Sequence, residues 1–227
     1  MLDYANMLPQ LENKKKSLGD VAYQKLLQAI EMGVLKSGDR ISVNGLADIL
    51  KLSRTPVREA ISWLETDGLV VHEPYVGRVV ADLNRQMVSE LYDIRFVLET
   101  SAAGLAALNA SSSQIDELQE MLVFEKEVLS DPIRRERQNT RFHEAIYRSA
   151  HNRYLISTLK ALQTPMILLG PATAKDSGRV QTAYLEHVEL INRIENRDEN
   201  GAREIMLLHL KGGLHTRINS INQRNKI

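Results

Sequence analysis

The chain has no cysteine among its 227 residues, which removes disulfides, thiolate metal sites and cysteine nucleophiles together. It has no net charge either, since 29 Lys and Arg balance 29 Asp and Glu, so the chain as a whole does not advertise a polyanion binder. Residues 18–85 are no more basic, with eight Lys/Arg against nine Asp/Glu; any affinity for DNA must come from where the charges sit. No apolar run approaches a membrane span and the N-terminus lacks the apolar core of a signal peptide, so a soluble, cytoplasmic protein without membrane contact is expected. Enzyme signatures are missing as well. No Glu is followed three residues later by His, and His143-Glu144 continues with Ala145, Ile146 and Tyr147, not toward a second histidine. With no glycine-rich phosphate loop and no nucleophile elbow, a metal-containing bundle enzyme stays a competing class without a motif behind it.

What is present begins with "KLSRTPVREAISWLETDGLV", residues 51 to 70. A proline inside a helix costs ~3 kcal/mol, so the helix must start just before Pro56. Ser53 is a suitable N-cap, its hydroxyl taking the N–H of Thr55 because Pro56 has none to give. Val57, Ala60, Ile61 and Leu64 then make an i, i+3, i+4, i+7 apolar stripe. Thr55, Arg58, Glu59 and Ser62 point away from it, with Arg54 at the edge of that face, and Gly68 ends the helix in a left-handed position. Trp63, the single tryptophan, flanks the stripe and reads as a packing residue.

Residues 1–16, ending in Lys14-Lys15-Lys16, show no sustained period and read as a flexible arm. A first helix buries Ala22, Leu26, Ala29 and Ile30 and stops at Gly33; a turn at Gly38-Asp39 leads to a short extended piece. A second helix, Val43 to Leu50, is expected to bury Leu46, Ala47, Ile49 and Leu50. After the Ser53 helix come two strands, Leu69–His72 and Arg78–Ala81, around a Pro74–Gly77 turn. Helix, helix, three-residue turn, helix and hairpin is the order of a winged helix-turn-helix over residues 17–82. From Asn84 no strand signal remains. Apolar positions recur at helical spacing through 84–109, 113–129, 132–150, 153–169, 178–196 and 199–222, six helices of an antiparallel bundle spanning 84–222. The fold class is therefore mainly α: an N-terminal winged helix-turn-helix plus an all-α bundle. Gly212-Gly213 in the last helix marks a close helix contact or a bend.

Two constellations carry chemistry. Arg54 and Arg58 share one helix face, and a guanidinium grips guanine O6 and N7 in a fork; alternatively Arg58 pairs with an acid such as Glu65 on a solvated surface. Asn44, at the start of the second helix, is placed to reach a phosphate. His143, His187 and His209 lie on three different bundle helices and converge only if the fold brings them together, with Asn139 one turn before His143. Three imidazoles and a side-chain oxygen suit a first-row divalent ion of the Zn, Ni or Mn class; packed core histidines are the alternative.

The chain resembles the GntR family of bacterial transcription regulators in its FadR/FCD branch. The residues carrying the likeness are "GLADILKLSRTPVREAISWLETDGLV", the wing "YVGRVV", and then "ELYDIRFVLETSAAGLAA", "NTRFHEAIYRSAHNRYL" and "EHVELINRIENRDENGAREIMLLHL". Six C-terminal helices without an extra helix after the wing look most like the VanR subgroup. The resemblance implies that Ser53, Arg54, Thr55 and Arg58 meet DNA, and that Tyr75, Gly77 and Arg78 of the wing lie along the minor groove or backbone. It implies a metal at Asn139, His143, His187 and His209, the position of Asn139 usually being aspartate. It also implies that Arg95 points into the adjacent pocket to clamp an effector carboxylate; read alone, Arg95 is an exposed i,i+4 partner of Glu99. Lys51 stands where the family usually has glycine, so a left-handed backbone there brings strain of roughly 1 kcal/mol.

The expectation is a DNA-binding transcription regulator, a repressor in the commoner case, that binds a palindromic operator as a homodimer and answers to a small organic acid. Such a protein is bacterial, cytoplasmic and nucleoid-associated. An architectural DNA-binding protein without an effector is the other alternative.

Overall fold

Residues 17–169 and 177–224 are described by a computed structural model; the arm expected at 1–16 and most of the break expected at 171–178 lie outside them. Helix α1 (Leu18–Glu31) starts on a reciprocal cap, Ser17 Oγ accepting from the Asp20 N–H while the Asp20 carboxylate accepts from the Ser17 N–H. Its Ala22, Leu26 and Ile30 recur every fourth residue and are buried together. Helix α2 (Val43–Leu50) has the expected bounds, and α3 (Arg54–Thr66) buries Pro56, Val57, Ala60, Ile61 and Leu64. The departures in α2 and α3 are local. Ile49 is 75% exposed, because α2 is only two turns long and turns a single residue, Ala47, fully inward, with Leu46 and Leu50 half-buried at its flanks. Ser53 caps α3 by backbone position, but its hydroxyl makes no cap hydrogen bond.

Strands β1 (Val70–Glu73) and β2 (Gly77–Val80) pair antiparallel from Val70 opposite Val80 to Glu73 opposite Gly77. The hairpin is set one residue further toward its tip than the alternation suggested, because Leu69 is consumed in the helix-to-strand turn, its N–H bonding to the Leu64 carbonyl. Gly68 is left-handed as expected, with φ +73°. The extended piece before α2 meets the hairpin through an isolated bridge, Arg40 opposite Val79. One core joins α1, α2, α3 and the hairpin, with Leu26, Ile30, Ala60, Ile61, Leu64, Leu69 and Val80 at its centre.

The second unit is helical throughout its described residues: α4 (Arg85–Asn109), α5 (Ser112–Val128), α6 (Pro132–Ser149), α7 (Arg153–Ile167), α8 (Ser177–Glu195) and α9 (Glu199–Arg224). Its caps are the breaks read from the sequence: Asn84, Ser111, Asp131 and Asn152 each accept from the first turn they precede. The long α4 packs on α9, α6, α8 and α7. It does so through small residues, Ala103, Ala106 and Ala107, which let Phe142, Ile146, Leu190, Ile194, Met206 and Leu210 close around it. The glycine pair in α9 is a close contact. A Cβ on Gly212 would lie 2.7 Å from the Arg179 guanidinium carbon, and one on Gly213 3.3 Å from the Tyr92 hydroxyl.

The two units are not merely tethered. Ile167 and Leu168, at the end of α7, pack into the core of the winged module, while Met166 and Leu169 beside them pack with Val88 and Tyr92 of α4.

Lys51 is left-handed, with φ 55° and ψ 43°. A side chain there is strained by ~1–2 kcal/mol, against which glycine's extra chain entropy costs roughly 0.5–1 kcal/mol. Lys51→Gly is expected to stabilise the protein by up to about 1 kcal/mol in thermal or denaturant unfolding; a lower midpoint would show that Lys51 makes a compensating contact.

Candidate nucleic-acid interface and metal centre

The N-terminal turn of α3 faces away from its core. Ser53, Arg54, Thr55 and Arg58 are all exposed, and neither arginine enters an ion pair among the described residues. Glu65, the alternative partner for Arg58, is held instead by Arg78 of the wing, Nε to Oε1 at 2.7 Å. That ion pair fixes the wing against the C-terminal half of α3. Tyr75 stands at the wing tip, fully exposed and with a left-handed φ of 65°. Gly77 has φ +95° and nothing within 4 Å of where a Cβ would lie, so glycine is needed there for conformation, not for space. Asn44 is exposed at the second residue of α2. The α3 face and the wing tip thus offer free cations, hydroxyls and an aromatic ring, in a module with no excess positive charge.

The histidines converge. His143 of α6, His187 of α8 and His209 of α9 are all buried, each offering a nitrogen within 4.8 Å of the others. What aims them is a ring of glutamates. His143 Nδ1 lies 2.7 Å from Glu99 of α4, His187 Nδ1 2.9 Å from both oxygens of Glu125 of α5, and His209 Nδ1 2.9 Å from Glu186 of α8. An ionised carboxylate only accepts hydrogen bonds, so each Nδ1 donates, and each ring in its neutral form presents a lone pair at Nε2. His143 Nε2 and His209 Nε2 sit 3.3 Å apart, and in those tautomers neither carries a hydrogen to share. The third, His187 Nε2, is buried without any hydrogen-bond partner. A separation of 3.3 Å is that of two corners of a tetrahedron built on ~2.0 Å metal–nitrogen bonds. The donor set fits a divalent cation, and carboxylate-anchored imidazoles are the usual support for one.

Electrostatics follow from burial. Burial alone would raise the Glu99 carboxyl, but the Arg95 guanidinium and His143 beside it bring it down to about 2. Burial lowers His187, and it lowers His209 further, helped by the other two imidazoles. Tyr147 is pushed well up by burial and by Glu99. Arg95 does pair with Glu99, Nε to Oε1 at 2.6 Å, but the pair is buried rather than solvated. Nη1 lies 3.4 Å from Met166 Sδ, and the guanidinium stacks 4.6 Å from the Tyr92 ring.

Two cavities meet at this centre. The smaller, of about 110 Å³, is bounded by His143, His209, Arg95, Arg179 and Arg217; the larger, of about 290 Å³, extends from Arg95, Glu99 and His143 toward α7 and α1. Asn139, half-buried, lines both. Residues unforeseen from the sequence are Glu125 and Glu186, which orient two of the histidines, and Arg179, which ties Glu186 to the His209 carbonyl. His72, His151 and His215 stand apart from the cluster; His151 bonds to Gln114 and His215 to Asn219.

The chain matches the family described as "Bacterial regulatory proteins, gntR family" over residues 18–80 and the "FCD domain" over residues 90–212. Similar curated proteins include a gluconate operon transcriptional repressor of Bacillus subtilis (strain 168), 30% identical over 92% of this chain and 88% of that protein. Another is the uncharacterized HTH-type transcriptional regulator YdhC of the same organism, 27% identical over 82% of this chain and 85% of that protein. Among solved structures, E. coli McbR/YncC superposes with a TM-score of 0.75 at 24% identity, covering 92% of this chain and 99% of that one, a likeness of fold.

The lowered values of His187 and His209 set a pH dependence. The unfolded chain protonates its histidines at about pH 6.5, whereas the folded imidazoles stay neutral to lower pH. Their contribution to stability is therefore complete above about pH 6.5 and is lost as pH falls from there toward the folded values. Metal-free protein is expected to keep a level unfolding midpoint above neutrality and to lose it progressively below about pH 6.5, as read by circular dichroism; a midpoint that rises on mild acidification would contradict this.

Proposed function

The chain belongs to the GntR family of bacterial regulatory proteins and carries that family's FCD domain, and from that premise we propose how its two sites divide the work. It is a DNA-binding transcription regulator and not an enzyme. Among the described residues no helix is long and apolar enough to cross a membrane, in keeping with work on the chromosome in the bacterial cytoplasm.

On the DNA side, Arg54 and Arg58 read base edges in the major groove, with Ser53, Thr55 and Asn44 on phosphates and Tyr75, Gly77 and Arg78 of the wing along the minor groove or backbone. One winged module contacts few base pairs and has no surplus charge to hold phosphates unaided. Two copies on an inverted repeat, a two-fold homodimer, supply the missing affinity. Arg54→Ala and Arg58→Ala are each expected to lose ~1–3 kcal/mol of discrimination between operator and random DNA. Equal weakening on both DNAs, measured by fluorescence anisotropy, would assign the arginines to phosphate contact instead.

On the effector side, one observation carries the reading: three buried imidazoles with nitrogens within 4.8 Å of one another, each bonded at Nδ1 to a glutamate. His143, His187 and His209 hold one divalent ion, Zn, Ni or Mn in class, with Asn139 as a weak oxygen ligand. A bound ion supplies a fixed positive centre with positions open to an anionic oxygen. The charge balance points to the anion. With neutral imidazoles, Arg95, Arg135, Arg179 and Arg217 balance Glu99, Glu125, Glu136 and Glu186 around the centre; a divalent ion adds positive charge that no side chain there offsets. A carboxylate offsets part of it, one oxygen toward the ion and the other accepting from Arg95. The effector is accordingly a small organic acid, and the gluconate named for one relative is of that class. Its binding lowers operator affinity, making the protein a repressor that is released by its ligand.

Metal analysis of protein purified without a polyhistidine tag tests the centre. Wild type is expected to carry one ion per chain, Asn139→Asp to hold it more tightly against a chelator, and His187→Ala to lose it while keeping its circular dichroism. The same substoichiometric metal in wild type and His187→Ala would make the histidines packing residues.

A further inference from the structure

The larger cavity is not confined to the bundle. Leu27 and Glu31, from the last two turns of α1 in the winged module, form part of its wall, together with Leu159, Leu162, Gln163 and Ile167 of α7. None of these six borders the smaller chamber, whereas Arg95, Glu136, Asn139, His143 and Met166 border both. The shared residues mark a junction, with the ion site and Arg95 on one side and α1 away from it. Leu27 and Ile167 also pack in the core of the winged module, so filling this chamber presses on side chains that belong to that core. On the side away from the ion the wall is aliphatic at Leu27, Leu159, Leu162 and Ile167, with Glu31 and Gln163 as its polar members. Glu31 is half-buried and enters no ion pair or hydrogen bond among the described residues. Gln163 has already spent one amide N–H on Glu144, at 2.8 Å, leaving its oxygen and its second N–H.

Resting on the carboxylate reading above, we propose that the larger chamber is a second subsite, formed jointly by the bundle and the DNA-binding module, for the far end of an elongated organic acid. The acid end lies at Arg95 and the ion, several methylene-like carbons run past Leu159, Leu162 and Met166, and a hydrogen-bond donor, an ammonium or hydroxyl group, ends at Glu31. The effector then touches α1 itself. Its contacts differ between two positions of the winged module, which is what any ligand needs in order to shift such an equilibrium. The operator-binding module is by the same contact a specificity determinant for the effector.

The sole tryptophan reports on the position of α1. Trp63 of α3 lies against α1, edge-on to Tyr23 with ring centroids 6.1 Å apart and 3.1 Å from where a Cβ on Gly19 would stand. Full-length protein supplied with zinc is titrated with acetate, hexanoate, and the hexanoates ending in an amine or a hydroxyl, by calorimetry and by Trp63 emission. Each methylene buried in the chamber is expected to tighten binding ~3–4-fold. A donor end adds ~10-fold or more through its bond to a carboxylate. Glu31→Gln is expected to erase most of the donor-end gain and leave acetate unchanged, and only the donor-ended acids shift the emission of Trp63. Affinity independent of chain length, or a length dependence that Glu31→Gln does not alter, overturns the subsite; if Arg95→Gln still abolishes acetate binding, the carboxylate site stands without it. If no acid of any length binds and Arg95→Gln behaves as wild type, both readings fall.

Discussion

Everything in the C-terminal unit is arranged around one constraint: three buried imidazoles whose protons are pinned outward by three glutamates. Buried charge is costly, and a buried carboxylate persists only where it is paired and hydrogen-bonded. Glu99 meets this with Arg95 and His143 and Glu186 with Arg179 and His209, while Glu125 is hydrogen-bonded by His187 through both of its oxygens and lines one cavity with Arg135. The groups come from α4, α5, α6, α8 and α9, so the centre crosslinks five of the six bundle helices electrostatically while the alanine face of α4 does so by packing. The polar ring also explains the glycines of α9, which make room for Arg179 and Tyr92 at the cavity wall.

The same residues lead outward to the DNA. Helix α4 begins directly after the wing and carries Tyr92, Arg95 and Glu99 on one face. The end of α7 supplies Met166 to Arg95, Ile167 and Leu168 to the winged core, and Leu169, whose carbonyl accepts from Arg217 at 3.1 Å. Packed side chains on two elements thus join Arg95 to the core of the winged module, without a flexible linker between. Protein cores do not deform smoothly, and a small displacement at such a junction is more readily converted into one of two packings.

Much of this was legible in the chain because caps and periods are local. Asn84, Ser111, Asp131 and Asn152 announced four helices, and the proline at the third position of α3 located the recognition helix to the residue. Lys51 disclosed a left-handed backbone only through the family likeness. The errors were also local in origin: a short amphipathic helix such as α2 leaves one of its apolar residues, Ile49, outside, and Ser53, placed to cap, keeps its hydroxyl free. The candidate ligands could be named because three histidines on three helices are uncommon, yet nothing in the sequence pairs Glu125 with His187 or Glu186 with His209, partners 62 and 23 residues apart. Arg95 and Glu99 were legible as a pair through their i,i+4 spacing, but their burial depends on α6, α7 and α9 closing over them. Side-chain partners across a bundle are set by the packing of helix faces, which a one-dimensional period does not encode.

The claim on which the account turns is that three neutral imidazoles present lone pairs to one cation. Titration of the metal-free protein with cobalt(II), followed by its visible d–d absorption, tests this most directly. The account predicts a band that saturates at one ion per chain, with little proton release above neutrality because the ligand nitrogens are already unprotonated. Absence of a d–d band beyond that of the hydrated ion, or saturation only at several ions per chain, would contradict it.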